Sequence, residues 1–170
     1  RTNKATEKVM KKYLFIVLLV GIGFGQSIDS EKHLKVLYPV VEDLNKKLKK
    51  LMEIYEDLLA VETATTNQFQ KETLSLLKQI NRDSYMNVDW IKYNTEIFLF
   101  VKDGWAKQFV IDKNTYIIGL LDFDIKGVSN NIPFLKNPQG IHLSNKMLDL
   151  IRDTQREANT ANNYLQSIIK

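Results

Sequence analysis

Leu34, Leu37, Val41, Leu44, Leu48, Leu51, Tyr55 and Leu58 follow one another at alternating steps of three and four. Side chains at that spacing fall on one face of a helix and form a heptad seam. The segment predicts a long helix with coiled-coil character. Val40, Ile54 and Leu59 widen the stripe beyond a two-stranded seam, so it is expected to face two neighbours in a bundle. Asp29 or Ser30 is placed to cap the helix, and Glu31 suits its first turn. Pro39 predicts either a kink near Lys35 or a regular helix from Val40 onward. With only 7 glycines and 3 prolines in 170 residues, composition also favours helix over a β-sandwich. There is no cysteine, so stability must come from packing or from a partner.

The seam loses phase after Val61, where Thr63 to Gln68 is polar. Phe69, Thr73, Leu76, Leu77 and Ile80 restart an apolar face, so two helices or one with a stutter are expected, ending near Asn81 to Ser84. Nine aromatics follow between Tyr85 and Phe123. A helix beginning at Asn87 or Asp89 places Val88, Ile91, Thr95, Phe98 and Val101 on one side. A β-hairpin pairing residues 97–101 with 105–111 across Lys102-Asp103-Gly104 is the competing reading. Residues 122–140 are rich in Gly, Asn, Ser and Pro and are expected to form a loop. The last helix is expected from Ser144, with Met147, Leu148, Ile151, Ala158, Ala161, Leu165 and Ile168 on its apolar face.

Met10-Lys11-Lys12, the apolar run Tyr13 to Phe24 and the small Gly23 and Gly25 form the three parts of a secretory signal peptide. The run of 12 residues would span roughly 18 Å as a helix. A bilayer core of about 30 Å needs about 20 residues. Cleavage before Gln26 is expected, and an uncleaved anchor is the alternative. Residues 1–9 precede Met10, the natural start of the signal, and are set aside from the fold. Residues 26–170 then form a single helical domain, periplasmic or extracellular, touching a membrane only through the N-terminal segment.

The chain carries a net charge of +4, but its first 25 residues hold five basic side chains and one acidic one. From Gln26 onward, 19 basic and 19 acidic residues balance. Lys46, Lys47, Lys49 and Lys50 cluster on the outer side of the apolar stripe, as a solvated face does. Nucleic acid is therefore not an expected partner.

No phosphate loop or nucleophile elbow is present. His33 and His142 lack a second ligand at metal spacing. Asp122 and Asp124 flank Phe123 without the further oxygen ligands of a calcium loop. Ser144 reads as a helix cap. No enzyme activity, cofactor or metal is expected. The candidate residues are those of an interaction surface: Leu44, Leu48, Leu51 and Tyr55 on the seam, with Trp90 and Trp105 from the aromatic segment.

The leader Met10 to Gln26, the heptads from Leu34 to Leu58, and Leu143-Ser144-Asn145-Lys146-Met147 with its following amphipathic helix carry a resemblance. The chain resembles the small exported helical accessory proteins of conjugative type IV secretion systems of the Bacteroidota kind. That resemblance implies a non-enzymatic subunit of a transfer apparatus, acting through protein partners or self-association. An alternative function is a membrane-anchored, ligand-sensing helical domain with a pocket near Trp90 and Trp105. A third, a hydrolase, requires Asp122, Asp124 and His142 to meet. The elongated bundle expected here predicts that Leu44→Asp with Leu51→Asp abolishes partner capture.

Overall fold

The computed structural model of the protein describes residues 28–169, so the leader, the cleavage site and residues 1–9 lie outside the described residues. The chain divides into two compact units, 1–36 and 37–170. Helix α1 runs Ile28–Ala64, and its first nine residues are the described part of the first unit. The second unit contains the remainder of α1, then α2 (Gln68–Phe98), α3 (Gly104–Asn131), a single 3-10 turn at Ile132–Phe134 and α4 (Pro138–Ser167). No strand occurs among the described residues. The expected mainly helical bundle is the fold, and the hairpin reading of 97–111 is overturned.

Pro39 sits inside α1 without ending it. Its ring removes one backbone donor from the helix. The boundary between the two units falls just before it, at Val36/Leu37.

The three junctions are built alike. Asn67 accepts from the Gln70 N–H at the start of α2, Asp103 from Trp105 and Ala106 at α3, and Asn137 from Gln139 and Gly140 at α4. Each side chain satisfies donors that the first helical turn leaves unpaired. Junctions this short make successive helices antiparallel. Cross-links between helices agree. Ser84 and Asn87 of α2 donate to Asp124 of α3, and Gln155 of α4 donates to Asp122 of α3. Lys47 of α1 meets Asp153 and Glu157 of α4, and Glu62 of α1 pairs with Lys78 of α2. Residues 37–169 thus close as an up-down-up-down four-helix bundle.

Its main core joins Leu44, Leu48, Leu51, Ile54, Leu58 and Val61 of α1 to Leu74, Leu77, Val88 and Ile91 of α2, Ile118, Leu121 and Val128 of α3, and Met147 and Ile151 of α4. A smaller cluster of Leu37, Phe98, Val110, Ile111 and Leu165 fills one end.

Three boundaries depart from expectation. First, α2 does not stop at Asn81–Ser84, because both residues are buried and bonded: Asn81 donates to Met147 Sδ at 3.2 Å and Ser84 to the Ile80 carbonyl and Asp124. Second, residues 122–140 are no loop. α3 continues to Asn131, and Gly127 admits Ile80 of α2 so closely that a Cβ there would stand 3.0 Å from Ile80 Cδ1. The Asn131 side chain donates to the Gly127 carbonyl at 2.7 Å, so its polarity is absorbed by the helix it was expected to break. Third, α4 begins at Pro138, six residues before Ser144. Ser144 is buried mid-helix and donates to the Gly140 carbonyl, so it caps nothing.

Candidate functional site

Helix α3 carries large apolar side chains on both of its sides. Inward it buries Val110, Ile111, Asn114, Ile118, Leu121 and Val128. On the opposite side Trp105, Phe109, Tyr116 and Phe123 remain 78%, 50%, 65% and 71% exposed. With Asp112 and Gly119 they occupy positions separated by four, three, four, three and four residues, a single line along the helix. The line runs about 27 Å at 1.5 Å per residue. Trp105 stacks on Phe109 with centroids 5.9 Å apart, and Lys113 Nζ sits 5.3 Å from the Phe109 centroid. Gln108 donates to Asp112. Side chains that large are ordinarily the centre of a core or an interface, and here they face outward.

A second, shorter patch lies on α2. Met86, Trp90 and Tyr93 share its outer face, and Trp90 meets Tyr93 edge to face at 5.9 Å. Trp90 and Trp105 are therefore both exposed, as an interaction surface requires, but each is paired with a ring on its own helix.

The seam residues are placed differently. Leu44, Leu48 and Leu51 are buried in the chain's own core. Their expected role as a surface for a partner is corrected: the stripe is consumed by α2, α3 and α4 of the same chain. Tyr55 is half-buried, with Lys78 Nζ 5.8 Å from its ring centroid. It lines an open cleft of ≈ 390 Å³ between α1 and α2 with Met52, Glu56, Asn81, Arg82 and Tyr85. This cleft does not include Trp90 or Trp105, where a ligand pocket was expected.

The polar residues inside the bundle act as cross-links. Lys47, 5% exposed, meets Asp43 at 2.9 Å, Asp153 at 3.0 Å and Glu157 more closely still. Burial opposes its charge, but hydrogen bonds to Glu157, Asp43 and Asp153 outweigh that and raise its pKa. The Lys47 bond lowers Asp43 and Asp153 below the usual carboxylate range, whereas burial pushes Glu157 up. Of the expected solvated lysine face, Lys46, Lys49 and Lys50 are exposed and Lys47 is not.

Asp122 and Asp124 turn to different neighbours. Asp124 is directed at α2, where burial raises its pKa against the hydrogen bonds from Asn87 and Ser84. Asp122 accepts from Gln155 of α4 at 2.8 Å. His142 is exposed near the start of α4. The two carboxylates are thus engaged by separate helices instead of converging. Among the described residues no group of three or more metal-ligating side chains occurs, and no helix is long and apolar enough to cross a membrane.

Phe109, Tyr116 and Phe123 are the surface residues that sequence reasoning passed over. Their signal was present in the line's regular spacing, but the inward and outward sides of α3 both carry large apolar residues and cannot be ranked without the neighbours. The chain matches no protein-family model, no curated protein and no solved structure.

Proposed function

We propose that this chain is an exported, non-enzymatic helical interaction protein that works through the outer face of α3. The observation that carries this reading is the line of Trp105, Phe109, Tyr116 and Phe123, half or more exposed on a helix whose other face already completes the core. Burying such rings against a partner supplies roughly 25 cal/mol per Å² of apolar surface removed from water. The bundle holds them on one rigid helix, which lowers the ordering cost of binding. The leader at residues 10–25 supports export, and the resemblance to conjugative accessory proteins supports a role as a structural or accessory subunit of a transfer apparatus.

The ligand-sensing alternative draws on a separate observation, the cleft lined by Tyr55, Tyr85, Arg82 and Glu56 between α1 and α2. Both readings are tested in one experiment. A photo-crosslinking side chain is placed at Tyr116, at Tyr85 or at the exposed Lys49, and the cells are fractionated. The interaction reading expects a mature N-terminus at Gln26 and a discrete protein adduct from position 116 alone. An adduct confined to Tyr85 favours the ligand-sensing domain. Full-length chain in the cytosol, with residues 1–25 intact and no adduct from 116, overturns the proposal.

A further inference from the structure

Building on the interaction reading, we propose that the α3 line docks on the same line of a second copy of this chain, the two α3 helices running antiparallel. Positions 105, 109, 112, 116, 119 and 123 have the same spacing read from either end. A two-fold axis at the level of Asn114 consequently sets Trp105 opposite Phe123 of the second copy, Phe109 opposite its Gly119 and Asp112 opposite its Tyr116. Each contact occurs twice, as an isologous interface demands.

The pairings suit the side chains. Nothing stands within 4 Å of where a Cβ on Gly119 would lie, so the helix has an open notch there. The half-exposed ring of Phe109 is the bulk that fills it, a knob entering a hole between helices 8–10 Å apart. The Tyr116 hydroxyl can donate to the Asp112 carboxylate, which places the one charge on the line beside a donor. At the two ends Trp105 and Phe123 meet as aromatic pairs, which favour offset or edge-on packing.

Charge and area agree with a second copy as the occupant. From Gln26 onward basic and acidic residues balance at 19 each, so two copies do not repel at long range. Rings of roughly 150–250 Å² at the exposures seen here offer roughly 400–600 Å² per copy. Burying both lines removes about 1,000 Å² in total, at the lower edge of specific interfaces. This describes a reversible dimer, not an obligate one. A lipid surface fits less well: α3 holds Lys107, Lys113 and Lys126 against Asp112, Asp122 and Asp124, whereas interfacial helices collect an excess of Lys and Arg.

Sedimentation equilibrium of the full chain up to about 200 µM tests the proposal. The expected mass rises from one chain to two, Gly119→Leu and Phe123→Ser each weaken association at least about tenfold, and both retain the wild-type helical melt. Because the chain has no cysteine, orientation can be read by disulfide trapping. Mixing Asp112→Cys chains with Tyr116→Cys chains should give a cross-linked dimer, while Tyr116→Cys alone, favoured only in a parallel pair, should not. A mass of one chain throughout, or association that Gly119→Leu and Phe123→Ser leave unchanged, overturns the self-docking. A protein adduct from Tyr116 in cells together with a monomeric mass retains the interaction reading and removes this inference. Binding of monomer to vesicles of phosphatidylglycerol and phosphatidylcholine, lost in Trp105→Ala, removes both.

Discussion

Helices α1 and α3 line the same core with unbroken inward stripes but turn opposite characters to the outside. α1 shows Lys46, Lys49, Lys50, Glu53, Glu56 and Asp57 to water, so most of its outer side is charged, although Met52 and Leu59 are exposed among them. α3 shows Trp105, Phe109, Tyr116 and Phe123 in one line between charged and polar neighbours such as Gln108, Lys113 and Asp122, an aromatic line that α1 lacks. Folding needs only the inward stripe of each. The apolar surplus on α3 adds little to a single chain and becomes favourable only when something covers it. The difference teaches that the interaction surface proposed for this bundle is to be sought as apolarity beyond what the core consumes, not as the strongest heptad.

The comparison breaks most severely at the α1 seam. Leu44→Asp with Leu51→Asp puts two carboxylates into fully buried positions without partners, at a cost of several kcal/mol each. That approaches the whole stability of a domain, about 5–15 kcal/mol. The cooperative melt followed by far-ultraviolet circular dichroism should vanish, so loss of partner capture in this variant reports unfolding.

Lys47→Ala should be the next largest, destabilising by about 2 kcal/mol at neutral pH. Complete burial of the stranded carboxylates would cost more, but Asp43 and Asp153 keep contact with water. Its pH dependence follows from the sign of each shift. Asp43 and Asp153 have lowered folded values, so their stabilisation is present above the ordinary aspartate value of 3.8 and is lost as pH falls through the folded values. Glu157 works in the opposite sense, since its folded value is raised. Lys47, also raised, gives a stabilisation that persists below its ordinary 10.5 and fades only as pH rises through the folded value. Chemical denaturation from pH 3 to 8 should show the acid-side loss due to Asp43 and Asp153 in the wild type and a smaller loss in Lys47→Ala, where Arg156 still pairs with Asp153.

A smaller effect of opposite sign is expected at the α2–α3 contact. Burial raises Asp124, so stability falls as pH climbs from the ordinary aspartate value through the folded one. Asp124→Asn keeps an acceptor for Ser84 and Asn87 and removes the buried charge. It should be more stable than the wild type at pH 7, with the difference disappearing in acid. Equal stability at both pH values would show that water reaches this carboxylate.

The outer face of α3 should give the smallest change. Phe123→Ser is expected to shift the unfolding free energy by no more than about 0.5 kcal/mol. A loss above about 2 kcal/mol would place this ring in the core and erase the contrast with α1.

Sequence legibility follows the same division. The α1 seam was readable because Leu37, Val41, Leu44, Leu48, Leu51 and Leu58 keep their phase against a charged outer face, and all six are buried. The polar patch at Thr63 to Gln68 correctly marked a break, which closes to Thr65–Asn67. Buried polar residues were misleading. Asn81, Ser84 and Ser144 look like breakers or caps, yet each lies inside a helix; the two hydroxyls bond the carbonyl four residues back, and Asn81 reaches Met147. The stretch 122–140 was misread for a related reason. Leu121 and Val128 hold their faces against the core, but the glycine and asparagines between and after them dominate the composition. Of the candidate surface, only Trp105, beside Gly104, stood out in the sequence from aromatics that mostly fill a core, whereas Leu44, Leu48 and Leu51 were not legible as core, since a seam looks the same whether its partner is another chain or another helix.

The junction between α3 and α4 is held in a way the other two are not. Gln70, buried at the start of α2, donates through Nε2 to the Phe134 carbonyl at 2.7 Å and accepts from the Lys136 N–H at 2.6 Å. One primary amide thus completes both polar groups of a turn, much as an adjoining strand completes an edge. Grafting a reporter peptide or opening new chain ends is suited to 65–66 or 100–102, which leaves the Asn67 and Asp103 caps and the packed Leu99 in place. The same graft at 135–137 would strand an amide inside the protein and unfasten three helices at once.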